Sequence, residues 1–148
     1  LDFNVLNKFI ISLEKNKVDL LFAGVIKSGK KLLFLKTNKK NILNGPAGTF
    51  PSHTGGVAIR KDLHSKFGDY SLDFKVISDL FFISSCLLGN CSSKLYEDYL
   101  SNIGAKGFSK KNEDLAEYES MQIRNKFGAS KAKSFFIYFF RINKIKLK

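Results

Sequence analysis

The sequence predicts an α/β fold, and three observations carry that expectation. Apolar residues recur at helical spacing in several stretches. A short, nearly continuous apolar run interrupts them, and glycine or proline marks the joints. The chain has 148 residues, enough for one modest domain, and 44% of them are hydrophobic, so a packed core is attainable.

Asn4 to Lys15 is expected to be an amphipathic helix. Val5, Leu6, Phe9, Ile10 and Leu13 fall on one stripe, with Lys8 and Glu14 off it. Val18 to Ile26 is how a strand buried on both faces reads. Ser28-Gly29 supplies a turn, and Leu32 to Leu35 a second strand. Asn44 to Pro51 (NGPAGTFP) is a Gly- and Pro-rich loop. His53 to Arg60 runs from a loop into a short strand. Lys61 to Phe67 is a brief helix stopped by Gly68. Tyr70 to Lys75 is irregular.

Val76 to Leu88 carries the strongest helical pattern, with Val76, Leu80, Ile83 and Leu87 as its core stripe and Gly89-Asn90 ending it. Leu95 to Tyr99 reads as a strand and Asn102 to Ser109 as a glycine-bearing loop. Asn112 to Phe127 is a charged helix closed by Gly128. The tail, Lys131 to Lys148, joins FFIYFF to RINKIKLK.

The net charge of +12 is unevenly placed. Residues 1–50 hold nine Lys and Arg against three acids, residues 51–130 ten against ten, and residues 131–148 six against none. A nucleic-acid module concentrates positive charge on its binding face. The balanced middle argues against one, so no nucleic-acid partner is expected. Cys86 and Cys91 form no CxxC pair, and no zinc site or other metal site is expected from this chain. Reduced structural thiols fit a cytoplasmic location.

Asp79 lies at the edge of the buried stripe, about 60° from its centre at helical spacing. It sits in the first turn, facing the positive end of the helix dipole. Such a carboxylate beside a cleft can act as a general base; stabilising the helix start is the plainer role. His53 is followed by Thr54, Gly55 and Gly56, small residues that let a ligand approach the backbone; an ordinary loop histidine is the alternative. The loop from Gly104 to Ser109 offers backbone N–H groups and Lys106, a combination that can hold a phosphate or form a plain turn.

The order of these pieces resembles the second half of family-two glycosyltransferases of the bacterial surface-polysaccharide type. Val18-Asp19-Leu20-Leu21-Phe22-Ala23-Gly24 is similar to that family's "vDllyG" strand, and His53 to Arg60 to its "H-x-x-x-f-x-r/k" strand. Leu63 to Asp73 resembles "lf-x-k-y-G-x-y-d", and Phe74 to Phe82 resembles "f-k-i-x-x-D-y-x-f". Lys106-Gly107-Phe108-Ser109 stands where the family has "gG-x-S", and Glu119 to Gly128 (ESMQIRNKFG) where it has "E-x-x-x-i-r-x-k-y-g".

The resemblance covers residues 1–130, read as the acceptor-side half of a catalytic domain, with 131–148 as a basic aromatic tail. It implies a GT-A type fold, a mixed sheet flanked by helices. It implies inverting transfer from a nucleotide-diphosphate sugar donor to a glycan or lipid-linked acceptor. Asp79 would be the catalytic base. His53, Thr54, Gly55, Lys75, Lys106, Gly107 and Ser109 would line the substrate cleft. The family's divalent cation, Mg or Mn, is held by an Asp-rich motif that this chain lacks, as it lacks the nucleotide-binding half. A piece of a longer protein, inactive alone, is therefore expected. Leu80 departs from the aromatic that usually follows the base, which leaves the acceptor open. The competing expectation is a non-catalytic remnant or a membrane- or protein-binding module.

FFIYFF is shorter than the ~20 residues a membrane-spanning helix needs. Its basic flanks suit an interfacial anchor on the inner face of a membrane; packing of the aromatics on the domain is the other reading.

Overall fold

The computed structural model describes residues 3–27, 29–31, 53–104 and 107–147. The expected strand at Leu32–Leu35, the loop at Asn44–Pro51, and Lys106 lie outside the described residues. The fold is α/β. Its elements are α1 (Phe3–Asn16), β1 (Leu20–Lys27), β2 (Lys30–Lys31), a 3₁₀ turn (Thr54–Gly56), β3 (Val57–Ile59), α2 (Asp62–Phe67), α3 (Ser78–Leu88), β4 (Ser93–Ile103), α4 (Phe108–Lys111), α5 (Glu113–Lys126) and α6 (Lys131–Lys146).

The chain divides into two compact units. One comprises Leu1–Thr37, Phe50–Asp69 and Ser85–Ala105; the other comprises Asn38–Thr49, Tyr70–Ser84 and Lys106–Lys148.

The first unit is built on β1. Residues 20–25 are all buried, and since successive side chains alternate faces, both faces of the strand are covered. β4 runs parallel to β1 along its whole length, from Leu20 opposite Ser93 to Lys27 opposite Ile103. β3 pairs antiparallel with Leu20–Phe22, and β2 antiparallel with Ile26 and Lys27. Gly29, with φ of +76°, makes the return from β1 to β2 at no steric cost.

Leu21 and Ala23 share one face of β1 and bury Phe9 of α1, with Leu13, Val18, Ala58, Tyr96 and Leu100 around them. Phe9 meets Tyr96 edge-on at 5.3 Å. Each fully buried large side chain here contributes about 1.5–3 kcal/mol relative to exposure.

The second unit gathers Phe74, Ile77 and Ile123 in its core, with Val76, Leu80, Phe81, Ala116 and Phe127 packed on them. Phe81 stacks on Phe127 at 5.4 Å. α5 and α6 lie together. Tyr118 meets Tyr138 edge-on, and Arg141 pairs with Glu117 at 3.3 Å.

Several boundaries differ from those expected. The Val76 helix begins at Ser78, because the N–H groups of residues 75–77 bond to a side chain of α5 rather than starting a helical ladder. The Leu95–Tyr99 strand extends to Ser93–Ile103. Its register against β1 shifts around Gly24, so polar Glu97 and Asp98 are carried by a bulge inside the strand. The glycine loop shortens accordingly, since Asn102 and Ile103 belong to β4 and Phe108 opens α4.

Candidate functional site

In the second unit the candidate base is positioned from a distance. Glu119 sits on α5 and is only 2% exposed. Its carboxylate accepts three consecutive backbone N–H groups, from Lys75 at 2.7 Å, Val76 at 3.0 Å and Ile77 at 3.1 Å. Three charge-assisted bonds offset the desolvation of a buried carboxylate. They also fix the backbone just before α3.

Asp79 is the second residue of that helix and is half-buried. Its Oδ1 accepts the N–H of Leu80 at 2.7 Å, so one carboxylate oxygen faces the helix start. The Lys75 side chain is exposed. Beside it, Lys126 bonds Asp73 at 3.0 Å and lies over the rings of Phe74 and Phe81.

Gly107 precedes α4, and its carbonyl accepts the N–H groups of Lys110 and Lys111. Gly107 and Ser109 are both exposed.

In the first unit, His53, Thr54 and Gly55 form one turn. The Nδ1 of His53 accepts the N–H of Gly55 at 3.2 Å, which puts the imidazole proton on Nε2. The Gly55 carbonyl accepts the Ser101 hydroxyl at 2.9 Å. A Cβ on Gly55 would stand 3.3 Å from the Ser101 oxygen, so the glycine permits this close packing on β4. The turn presents an exposed histidine just before β3, with its Nδ1 engaged by Gly55.

Asp19 and Arg60 meet at 3.4 Å. Asp19 also accepts the N–H and hydroxyl of Ser92 at 2.8 and 2.9 Å. The Ser92 N–H foremost, then its hydroxyl, holds the Asp19 carboxyl below the ordinary Asp value. Arg60 also bonds Asp62, through Nε at 3.1 Å. These residues lock the starts of β1 and β4 together, which is a structural task.

The candidates thus fall into two sets. His53, Thr54 and Gly55 belong to the first unit; Lys75, Asp79, Gly107 and Ser109 belong to the second. No family model, curated protein or solved structure matches the chain.

Among the described residues no three His, Cys, Asp or Glu side chains gather as metal ligands. They do not fit the divalent cation that the resemblance implies, and no chemical step is assigned to it. A groove of about 460 Å³ on the first unit is lined by Leu13, Val18, Ala58, Ile59 and Arg60 among others, and His53 is not part of its wall.

Sequence reasoning missed the role of Glu119, which it read only as one letter of a motif. Its spacing was the available signal: Glu119 lies four residues before Ile123, on the face of α5 that the core covers. It missed Arg124 as well. That side chain is 0% exposed, and its Nε and Nη1 have no hydrogen-bond partner among the described residues. Its Nη2 donates to the Ser134 carbonyl at 3.3 Å.

Proposed function

We propose that the chain is the acceptor-side half of an inverting glycosyltransferase of GT-A type, with Asp79 as its general base. The supporting observation is the joint at Glu119. Phe74–Phe82 and Glu119–Gly128 resemble the family separately in sequence, and three hydrogen bonds tie them together. The tie acts on the backbone that carries Asp79. A base must be held within hydrogen-bond reach of the proton it removes, and a rigid helix start serves that need.

In the reaction, a carboxylate oxygen of Asp79 takes the proton from an acceptor hydroxyl. The hydroxyl oxygen forms a bond to the anomeric carbon of the donor sugar. The bond from that carbon to the nucleotide diphosphate breaks, and the diphosphate leaves with the electron pair. Attack from the face opposite the leaving group inverts the anomeric centre.

The test begins with the coding sequence upstream of Leu1. An in-frame strand-and-helix nucleotide-binding region ending in an Asp-rich motif is expected. The protein encoded by that whole frame should transfer label from a nucleotide-diphosphate sugar, and Asp79→Asn should abolish the transfer. An upstream frame without such a region would leave only a binding module, and an Asp79→Asn protein with full activity would remove Asp79 from the role of base.

A further inference from the structure

We propose that α6 docks the chain on an anionic lipid bilayer. The tail is a helix of 16 residues, and its two faces differ. Ser134 is buried, Tyr138 meets Tyr118, and Arg141 pairs with Glu117, so this side packs on α5. The opposite side carries Phe135, Phe136, Phe139 and Phe140, which are 54, 59, 49 and 71% exposed. Their rings gather into one patch, with neighbouring centroids 6.1 to 6.4 Å apart. At helical spacing the four rings occupy an arc of about 140°.

Charge identifies what covers this patch. Lys131, Lys133, Lys144 and Lys146 are exposed, and residues 131–148 contain no acid. At helical spacing Lys146 falls inside the aromatic arc, and the other three fall within about 40° of its edges. A second copy meeting the same face would set lysines against lysines. An acidic lipid surface has the complementary charge, and lysine stems can lie along the apolar boundary while their ammonium groups reach the headgroups.

Among the described residues no helix is long and apolar enough to cross a membrane. α6 would therefore lie in the interface plane, with its rings at the headgroup boundary. This inference stands apart from the catalytic reading, since it uses no residue of that site.

The test is flotation of the full chain with phosphatidylcholine vesicles, with and without phosphatidylglycerol. Binding to the anionic vesicles is expected to exceed binding to neutral ones by roughly tenfold or more, and to weaken as salt rises. Replacing Phe136→Ser and Phe140→Ser together should lower it by a further factor of about ten or more. Wild-type chain left unbound by anionic vesicles overturns the proposal, and so does a double variant that floats like wild type. Sedimentation without lipid supplies a further check. Self-association lost in the double variant, with flotation unchanged, would assign the patch to a second copy instead.

Discussion

The carboxylate of Glu119 receives the N–H of Ile77 at 3.1 Å, two residues ahead of Asp79 on the same chain. A buried acid on one helix thus sets the start of another. With Lys75 and Val76 it forms a three-pronged clamp, and the half-buried Asp79 follows directly from it. The arrangement separates two roles: Glu119 positions, and Asp79 meets the substrate in the proposed reaction.

Removing the clamp should cost stability. Glu119→Ala leaves three inward N–H groups without an acceptor, and a loss of about 2–4 kcal/mol is expected. Urea unfolding of the two proteins measures it. A loss within experimental scatter would mean that the clamp contributes little.

Asp79→Asn should behave in the opposite way. The residue is half-buried and its recorded bond is to the adjacent Leu80, so the melting temperature should hold. Transfer by the complete protein should fall by about 10²–10⁴-fold, the range for a lost general base. A collapse of the fold with this substitution would point to a structural role for Asp79.

Asp19 makes stability depend on acid. Its hydrogen bonds to Ser92, and more weakly the Arg60 charge, hold its carboxyl below the ordinary value of 3.8. A depressed folded value means that the stabilisation is complete above the unfolded value and is lost as pH falls through the folded one. Wild type should therefore exceed Asp19→Asn in urea midpoint at pH 7. The gap should shrink as the buffer is taken below about pH 4. A gap that stays constant with pH would exclude the ionised carboxylate as its source.

The thiols should be inert. Burial pushes Cys86 up to about 12, with Cys91 beside it adding to the shift, and burial raises Cys91 as well. Thiolates are the reactive form. At pH 8 the native chain should react with a disulfide reagent far more slowly than the urea-unfolded chain, by about 10²-fold or more. Equal rates would show that the first unit opens readily around α3 and β4.

Arg124 is the least satisfied charge among the described residues. Burial foremost, then the Arg141 charge, lowers its pKa, and Nε and Nη1 lack partners there. A methionine of similar length removes the desolvation cost. Arg124→Met is expected to unfold at the same or a higher temperature, with a gain of up to about 1–4 kcal/mol. A marked loss would mean that the guanidinium is satisfied by buried water or by another group.

Much of the fold was legible because it is local. The apolar period of α1, the unbroken run of β1 and the charged pattern of α5 each specify an element within one stretch of chain. Gly68 and Gly128, at φ of +83° and +86°, ended helices as read, since few other residues adopt that backbone conformation. The start of α3 was misread by two residues because the deciding acceptor, Glu119, lies more than forty residues away. Periodicity carries no information about such a partner.

By itself, then, the sequence determined the α/β class, the elements α1, β1, β3, α2, α3, β4 and α5, the uneven charge and the candidate residues Asp79 and His53. Tertiary structure alone decided what those residues meet. It joined Asp19 to Ser92 across 73 positions and engaged the His53 Nδ1 with Gly55. It also resolved the tail, whose FFIYFF run suited packing or exposure equally. Once Ser134, Tyr138 and Arg141 turn toward α5, the helical twist leaves the four phenylalanines facing outward.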